Sequence, residues 1–157
     1  MDDLSNRDAA KKINNLEMKP ARRSDLGPIE EGEKDTAFAD LIIDGKSLYE
    51  MLKKYNKFVP SFGWMSDDNQ RDIIDYFLLR KPHETMWYRY PLMVCSWCGD
   101  EECGFISVQI DKENHLVSWK DFYLEPEKKK IDVGPFYFEW DNYKQVINST
   151  FGTAGIQ

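Results

Sequence analysis

The stretch GFISVQIDKENHLVSWKDFYL, residues 104–124, decides the fold. From Phe105 to Ile110 apolar and polar side chains alternate, which is the two-residue period of a β-strand with one buried face. The polar run KENH then has the composition of a hairpin turn. The next run, LVSWKDFYL, offers Val117, Trp119 and Phe122 to the same core. The stretch therefore predicts an antiparallel hairpin inside a larger sheet.

Signals downstream of this hairpin predict one more strand and a helix. The run EPEKKK reads as a charged surface loop, and PFYFEW reads as a last strand. The run DNYKQVINSTF has helical spacing, with Asp141 as its expected N-cap and with Tyr143, Val146 and Ile147 facing inward.

Signals upstream predict two further strands and two helices. AFADLIID reads as a strand closed by the turn pair Asp44-Gly45. Ser47 begins a capping-box pattern, and Ser66 is the expected cap of a second helix that Pro82 ends. TMWYRYPLMVCSW reads as a long strand with Pro91 at an edge or a bulge.

These elements predict an α+β fold, a mainly antiparallel β-meander with flanking helices, in a single domain over residues 38–157. Residues 1–37 contain no aromatic residue and carry nine acidic and seven basic residues. A segment of that composition buries little apolar area, so we expect it to be disordered or loosely attached.

Composition excludes several functional classes. The chain has 157 residues and a net charge of -7, so a general nucleic-acid binder, which needs a basic face, is not expected. No apolar run is long enough to span a membrane, and the N-terminal residues do not resemble a secretory signal. We therefore expect a cytoplasmic protein with reduced thiols.

The only three cysteines lie in CSWCGDEECG, residues 95–104. Their C-x2-C-x4-C spacing is compatible with a zinc site made by Cys95, Cys98 and Cys103, with His115, His83 or a carboxylate such as Asp100 as a fourth ligand. A redox pair of Cys95 and Cys98 is also conceivable, although the neighbouring acidic residues oppose thiolate formation. The spacing is typical, above all, of a tight acidic hairpin turn, and no metal or other cofactor is expected.

Motifs of hydrolases, P-loop proteins and dinucleotide-binding enzymes are absent, so we expect a protein that is not an enzyme. Trp64 lies in a glycine-containing loop beside an acidic helix start, which is how an aromatic anchor of a protein interface looks. Acidic residues would steer a basic partner towards it. The expected partner-binding residues are Trp64, Asp67, Asp68, Asp100, Glu101 and Glu102.

Several runs together resemble a family of small uncharacterised bacterial proteins. These are CGDEECG, the strand FISVQID, VSWKDF, LIIDGKSL and FYFEWDNYKQVI, which match a CGDxxCG turn followed by a VxWxDF strand. The resemblance covers residues 38–151 and places Cys98 and Cys103 on the family's pattern. In size and acidity the chain is also similar in type to the immunity proteins that accompany bacterial toxins. That similarity implies a cognate protein partner, such as a basic toxin domain whose active site is occluded.

Overall fold

The predicted hairpin lies at the centre of a six-stranded antiparallel sheet, here called the large sheet. The structure is a computed structural model that describes residues 12–32, 34–55, 57–96 and 103–156. The strands of the large sheet run in the order β4-β5-β6-β7-β8, and β9 pairs with the first half of β7. Their bounds are β4 Phe58–Pro60, β5 Arg89–Cys95, β6 Phe105–Glu113, β7 Leu116–Glu125, β8 Lys129–Ile131 and β9 Phe136–Glu139.

The hairpin itself confirms the reading of its sequence. Glu113 pairs with Leu116 across a two-residue turn, in which Asn114 has a positive φ of 56°. The register then shifts by one residue, and Asp121 at the shift has a φ of 53°. This β-bulge explains why core positions on β7 are spaced by two and then by three residues. Val117, Trp119 and Phe122 are all fully buried as a result.

A second, three-stranded sheet corrects the domain boundary predicted at residue 37. Its strands are β1 Leu16–Arg22, β2 Ala37–Ile43 and β3 Lys46–Ser47. β1 pairs with β2 along its whole length, and the Leu16 side chain is 1% exposed. The expectation of a loosely attached segment is therefore wrong for the part from residue 16 to residue 22, because β2 supplies the hydrogen bonds that local composition does not suggest. The first 11 residues of that expectation lie outside the described residues.

In the part of the chain that the structure describes, three α-helices complete the α+β architecture: α1 Leu48–Met51, α2 Asp67–Phe77 and α3 Trp140–Ser149. Ser47 and Ser66 cap α1 and α2 as predicted, each accepting a hydrogen bond from the backbone three residues on. The predicted cap of α3 is wrong by two residues. Glu139 is its N-cap, and its carboxylate accepts from the backbone N–H groups of Asp141 and Asn142. These two hydrogen bonds lower the pKa of Glu139.

Two other local expectations change in the structure. The charged run EPEKKK is only partly a loop, because Lys129–Ile131 pairs with β7 as β8. The helix expected to reach Pro82 ends at Phe77, and Leu79 beyond it has a φ of 61°. The register shift predicted near Pro91 is present between Pro91 and Met93.

The core is organised around aromatic rings that α2, α3 and the large sheet contribute. Trp119 makes edge-to-face contacts with Phe77, Phe138 and Tyr143 at centroid distances of 5.6, 5.2 and 6.1 Å. The Tyr143 hydroxyl accepts from Trp119 Nε1 at 3.2 Å and donates to the Phe77 carbonyl at 2.6 Å. Burial raises the pKa of Tyr143, so the hydroxyl keeps the proton that it donates.

A tight loop ties the core to the C-terminal residues. Gly63 has a φ of 84°, and a Cβ built there would lie 2.9 Å from both Ala39 Cβ and the Thr150 carbonyl oxygen. Its own carbonyl accepts from the Ala154 N–H at 2.8 Å. The backbone approach is so close that only glycine fits.

Candidate functional site

Two adjacent aromatic side chains, Trp87 and Tyr88, stand out from the surface. They are 62% and 69% exposed, the most of any large hydrophobic side chains in the described ranges. Tryptophan and tyrosine dominate the energetics of protein interfaces, because they bring large apolar area with few rotatable bonds. We call these two residues the aromatic pair.

The loop before β5 holds the aromatic pair in a defined conformation. His83 and Trp87 form an isolated antiparallel bridge, in which each backbone N–H donates to the other carbonyl, at 3.3 and 3.2 Å. Trp87 has a positive φ of 60°. A bulky residue in this region is a genuine outlier, because its Cβ crowds the following carbonyl oxygen. The fold thus maintains a strained backbone at a residue whose side chain points away from the core.

The buried side chain of His83 holds this loop through hydrogen bonds to its backbone. It is 6% exposed, and its ring lies 5.3 Å from the Tyr76 ring of α2. Its Nδ1 atom accepts from the backbone N–H groups of Thr85 and Met86 at 3.2 and 3.3 Å. The imidazole therefore satisfies two loop donors that no regular secondary structure would satisfy.

The surroundings of the aromatic pair are weakly acidic. Glu84 is exposed in the same loop, and Asp111 on β6 follows Ile110, whose amide donates to the Tyr88 carbonyl. Asp111 also pairs with Lys120 at 3.4 Å, so its charge is shared. Burial first, and the charge of Asp111 second, raise the pKa of Tyr90, the core residue two positions beyond Tyr88.

A polar network anchors the strand that follows the aromatic pair. The guanidinium of Arg89 donates to Ser107 Oγ and to the Asp121 carbonyl oxygen, and it stacks on the Tyr123 ring at 4.0 Å. Ser107 Oγ in turn donates to the Glu125 carboxylate at 2.8 Å. Desolvation lowers the pKa of Arg89, although the nearby Glu125 charge opposes this. The groups of this network bind one another. They therefore hold the start of β5 in place and are not available for catalysis.

The structure separates the residues of the zinc alternative. Cys95 ends β5 and is buried, whereas Cys103 is exposed just before β6. His115 lies in the turn at the other end of β6, and nine strand residues span about 30 Å. His115 therefore cannot complete a site with Cys103, and the same distance excludes a Cys103–His115 nucleophile pair. Cys98 lies outside the described residues, and within them no group of three potential ligands comes together.

A cavity of about 410 Å³ lies beside Cys103, between the start of β4 and the β7–β8 turn. Lys54 and Lys57 contribute positive charge and Glu125 and Glu127 contribute negative charge. Groups of both signs line the same space, so the cavity does not select a ligand of either charge.

The structure does not assemble the predicted partner-binding residues at the aromatic pair. Trp64 is half-buried, packs against the core and donates its Nε1–H to the Pro60 carbonyl at 2.9 Å. Asp67 and Asp68 are exposed in the first turn of α2, an 11-residue helix about 16 Å long whose other end leads into the loop that carries Trp87. The other three predicted residues, Asp100, Glu101 and Glu102, lie outside the described residues.

The sequence does not indicate the aromatic pair, because residues 85–97 together have the composition of one long strand. In the structure β5 begins only at Arg89, and the Trp87 side chain before it is 62% exposed. Pro82 and His83 precede the aromatic pair closely. Because proline blocks helix continuation, these residues indicate a structured loop at this point.

Comparisons with known proteins do not add to this picture. No family model, curated protein or solved structure matches the chain. No helix in the described ranges is both long enough and apolar enough to span a membrane.

Proposed function

We propose that the protein is a non-enzymatic binding protein of the immunity type, which docks on a basic toxin domain and occludes its active site. The observation that carries the proposal is the exposure of Trp87 and Tyr88 on a loop that holds Trp87 at a φ of 60°. A left-handed backbone costs a non-glycine residue about 1–2 kcal/mol. Strain of this kind persists at sites where a side chain has to be presented in one direction.

The charge of the protein supports a basic partner. The chain carries a net charge of -7, and Glu84 adds an exposed carboxylate within the loop itself. Long-range attraction of this sign accelerates the encounter with a basic surface, whereas the desolvated aromatic rings provide affinity once contact is made. The two roles are separable, because salt screens the first and leaves the second largely unchanged.

An interface of ordinary size is wide enough for this protein to cover an active site on its partner. A standard interface covers about 800 Å² on each partner, which is a patch about 30 Å across. A footprint centred on the aromatic pair would thus reach well beyond the loop. In this proposal Asp67 and Asp68, in the first turn of α2, contribute at its rim, where single charges tune the association rate more than the affinity.

The test begins with capture of the partner on tagged protein, followed by calorimetric titration of the purified pair. Replacement of Trp87 by glycine removes the ring and relieves the positive φ. We expect Trp87→Gly to weaken binding about 30-fold or more, the loss typical of an interface hot spot. Its free energy of unfolding should change by less than about 1 kcal/mol, because the relieved strain offsets the entropy cost of glycine.

Phe151→Ala is the matched control, because Phe151 is a 37% exposed aromatic residue outside this loop. It should leave the affinity unchanged. The captured partner should be basic, and its activity should be blocked at a one-to-one ratio. Unchanged affinity of Trp87→Gly, or a partner whose activity the complex does not reduce, would contradict the proposal.

A further inference from the structure

The hydrogen bonds of His83 define which form of its ring the loop requires. Backbone N–H groups only donate, so the Nδ1 atom that faces Thr85 and Met86 must carry a lone pair. The hydroxyl of Thr85 lies 3.3 Å from the same atom and donates to it as well. The imidazole is therefore neutral in this conformation, with its proton on Nε2.

We infer that His83 is a positioning residue whose neutral ring latches the loop, and that protonation at Nδ1 releases the loop and with it the aromatic pair. A proton on Nδ1 converts the shared acceptor into a donor that points at two other donors. Both backbone hydrogen bonds are then lost together, and the unfavourable φ of Trp87 loses what maintains it. The latch is a property of the loop, whereas its consequence for docking rests on the proposed function.

Within the described residues, charged and titratable groups near His83 come from α2, from β5 and from the loop itself. On α2, the Tyr76 ring lies against the imidazole, and Asp72 pairs with Lys81, whose ammonium group lies 5.3 Å from the centre of the Tyr76 ring. On β5, the Tyr90 ring stacks on the Tyr76 ring at 5.8 Å. In the loop itself, Glu84 is adjacent and exposed.

The latch is tested without any partner, by amide hydrogen exchange of the full chain followed by NMR. In wild type, the protection factors of the Thr85 and Met86 amides should fall about tenfold or more when the buffer is brought from about pH 8 to about pH 5, the interval in which histidine side chains in general take up a proton. The Ala39 amide, which donates to the Phe62 carbonyl at 2.9 Å outside this loop, should keep its protection and so report that the fold is intact.

Two substitutions separate the role of the acceptor from the role of the proton. In His83→Asn, the amide oxygen occupies the place of Nδ1 and does not titrate, so protection should be present and independent of pH. In His83→Leu, no acceptor remains, so both amides should exchange rapidly at every pH. Wild-type protection that does not change with pH, or protection in His83→Leu equal to that of wild type, would overturn the latch.

The docking consequence has its own measurement. With the purified partner, wild type should bind about tenfold more weakly at about pH 5.5 than at about pH 7.5, whereas His83→Asn should show a smaller ratio. Suppose that amide protection falls with pH as expected, but that the affinities of wild type and His83→Asn change with pH by the same factor. That result would overturn the docking consequence of the inference. Failure to find any partner would refute the proposed function instead, and the exchange measurement would still decide the latch.

Discussion

The Tyr143 hydroxyl is the polar link at the centre of the aromatic core, and its removal provides the most direct test of the fold. Tyr143→Phe keeps the ring and its contact with Trp119 but deletes one oxygen. Two buried groups then lose their partner: the indole N–H of Trp119, now 3.2 Å from the oxygen, and the Phe77 carbonyl, now 2.6 Å from it. The substitution creates almost no cavity, so the cost comes from the two unsatisfied groups.

Each buried polar group left without a partner costs about 1–3 kcal/mol. Two such groups would cost about 2–6 kcal/mol, but Tyr143→Phe also removes the desolvation cost of the hydroxyl itself, so we expect it to lower the free energy of unfolding by about 2–4 kcal/mol. For a chain of this length, that corresponds to a drop in Tm of about 5–15 °C. The loss is a large share of the total stability of a typical domain.

Urea denaturation followed by circular dichroism measures this difference, provided that the denaturant slope is unchanged. Tyr88→Phe is the matched control, since it deletes the same atom from an exposed ring and should change stability by less than about 0.5 kcal/mol. A loss below about 1 kcal/mol in Tyr143→Phe would refute the reasoning. It would mean that Trp119 and Phe77 do not depend on this hydroxyl.

Three further substitutions test other parts of the structure by the same denaturation assay. Gly63→Ala should lower the free energy of unfolding by about 1–3 kcal/mol more than Gly45→Ala does, because both glycines have positive φ but only Gly63 has neighbouring atoms within 3.0 Å of a new Cβ. Equal losses in the two variants would show that the loop around Gly63 rearranges to accommodate a Cβ. Arg89→Met should lower the free energy of unfolding by about 3 kcal/mol, because it leaves the carboxylate of Glu125 buried without its cation. Adding Glu125→Gln should recover part of that loss. If the losses of the two single variants simply add in the double variant, the two residues are not coupled. Burial raises the pKa of Asp40 against three hydrogen bonds that lower it, so the contribution of this group is present below its unfolded-state pKa and is lost as pH rises. Asp40→Asn should therefore gain stability relative to wild type between about pH 4 and pH 7, and a difference that is constant with pH would contradict this.

Local signals predicted the parts of the fold whose cause is local. The β6–β7 hairpin follows from the alternation of side chains around a polar turn, and the caps at Ser47 and Ser66 follow from residues three positions apart. The helix cap at Glu139 was missed because Asp141, two residues on, is the better capping residue by type. Only the position of the preceding strand β9 decides between them.

The missed features depend on distant partners. β1 lacks the composition of a strand. It pairs with β2 because apolar residues such as Leu16 are then buried in the core, which residues distant in sequence form. The exposure of Trp87 depends on where β5 begins, which the bridge to His83 determines. Neither contact has a signature in its own window of sequence, so the candidate site could not be derived from the sequence alone.

The seam between β1 and the C-terminal helix has a consequence for how the protein is made. Asn14 exchanges hydrogen bonds with the backbone of Tyr137, 123 positions later, and Asn142 donates to the Leu16 carbonyl across 126 positions. A ribosome releases the β1–β2 ribbon long before α3 exists to cover it. The nascent chain must therefore carry an incomplete sheet until the segment that forms α3 has been synthesised. Slow elongation between the codons of β2 and those of α3 would prolong the interval in which that ribbon can pair with another chain.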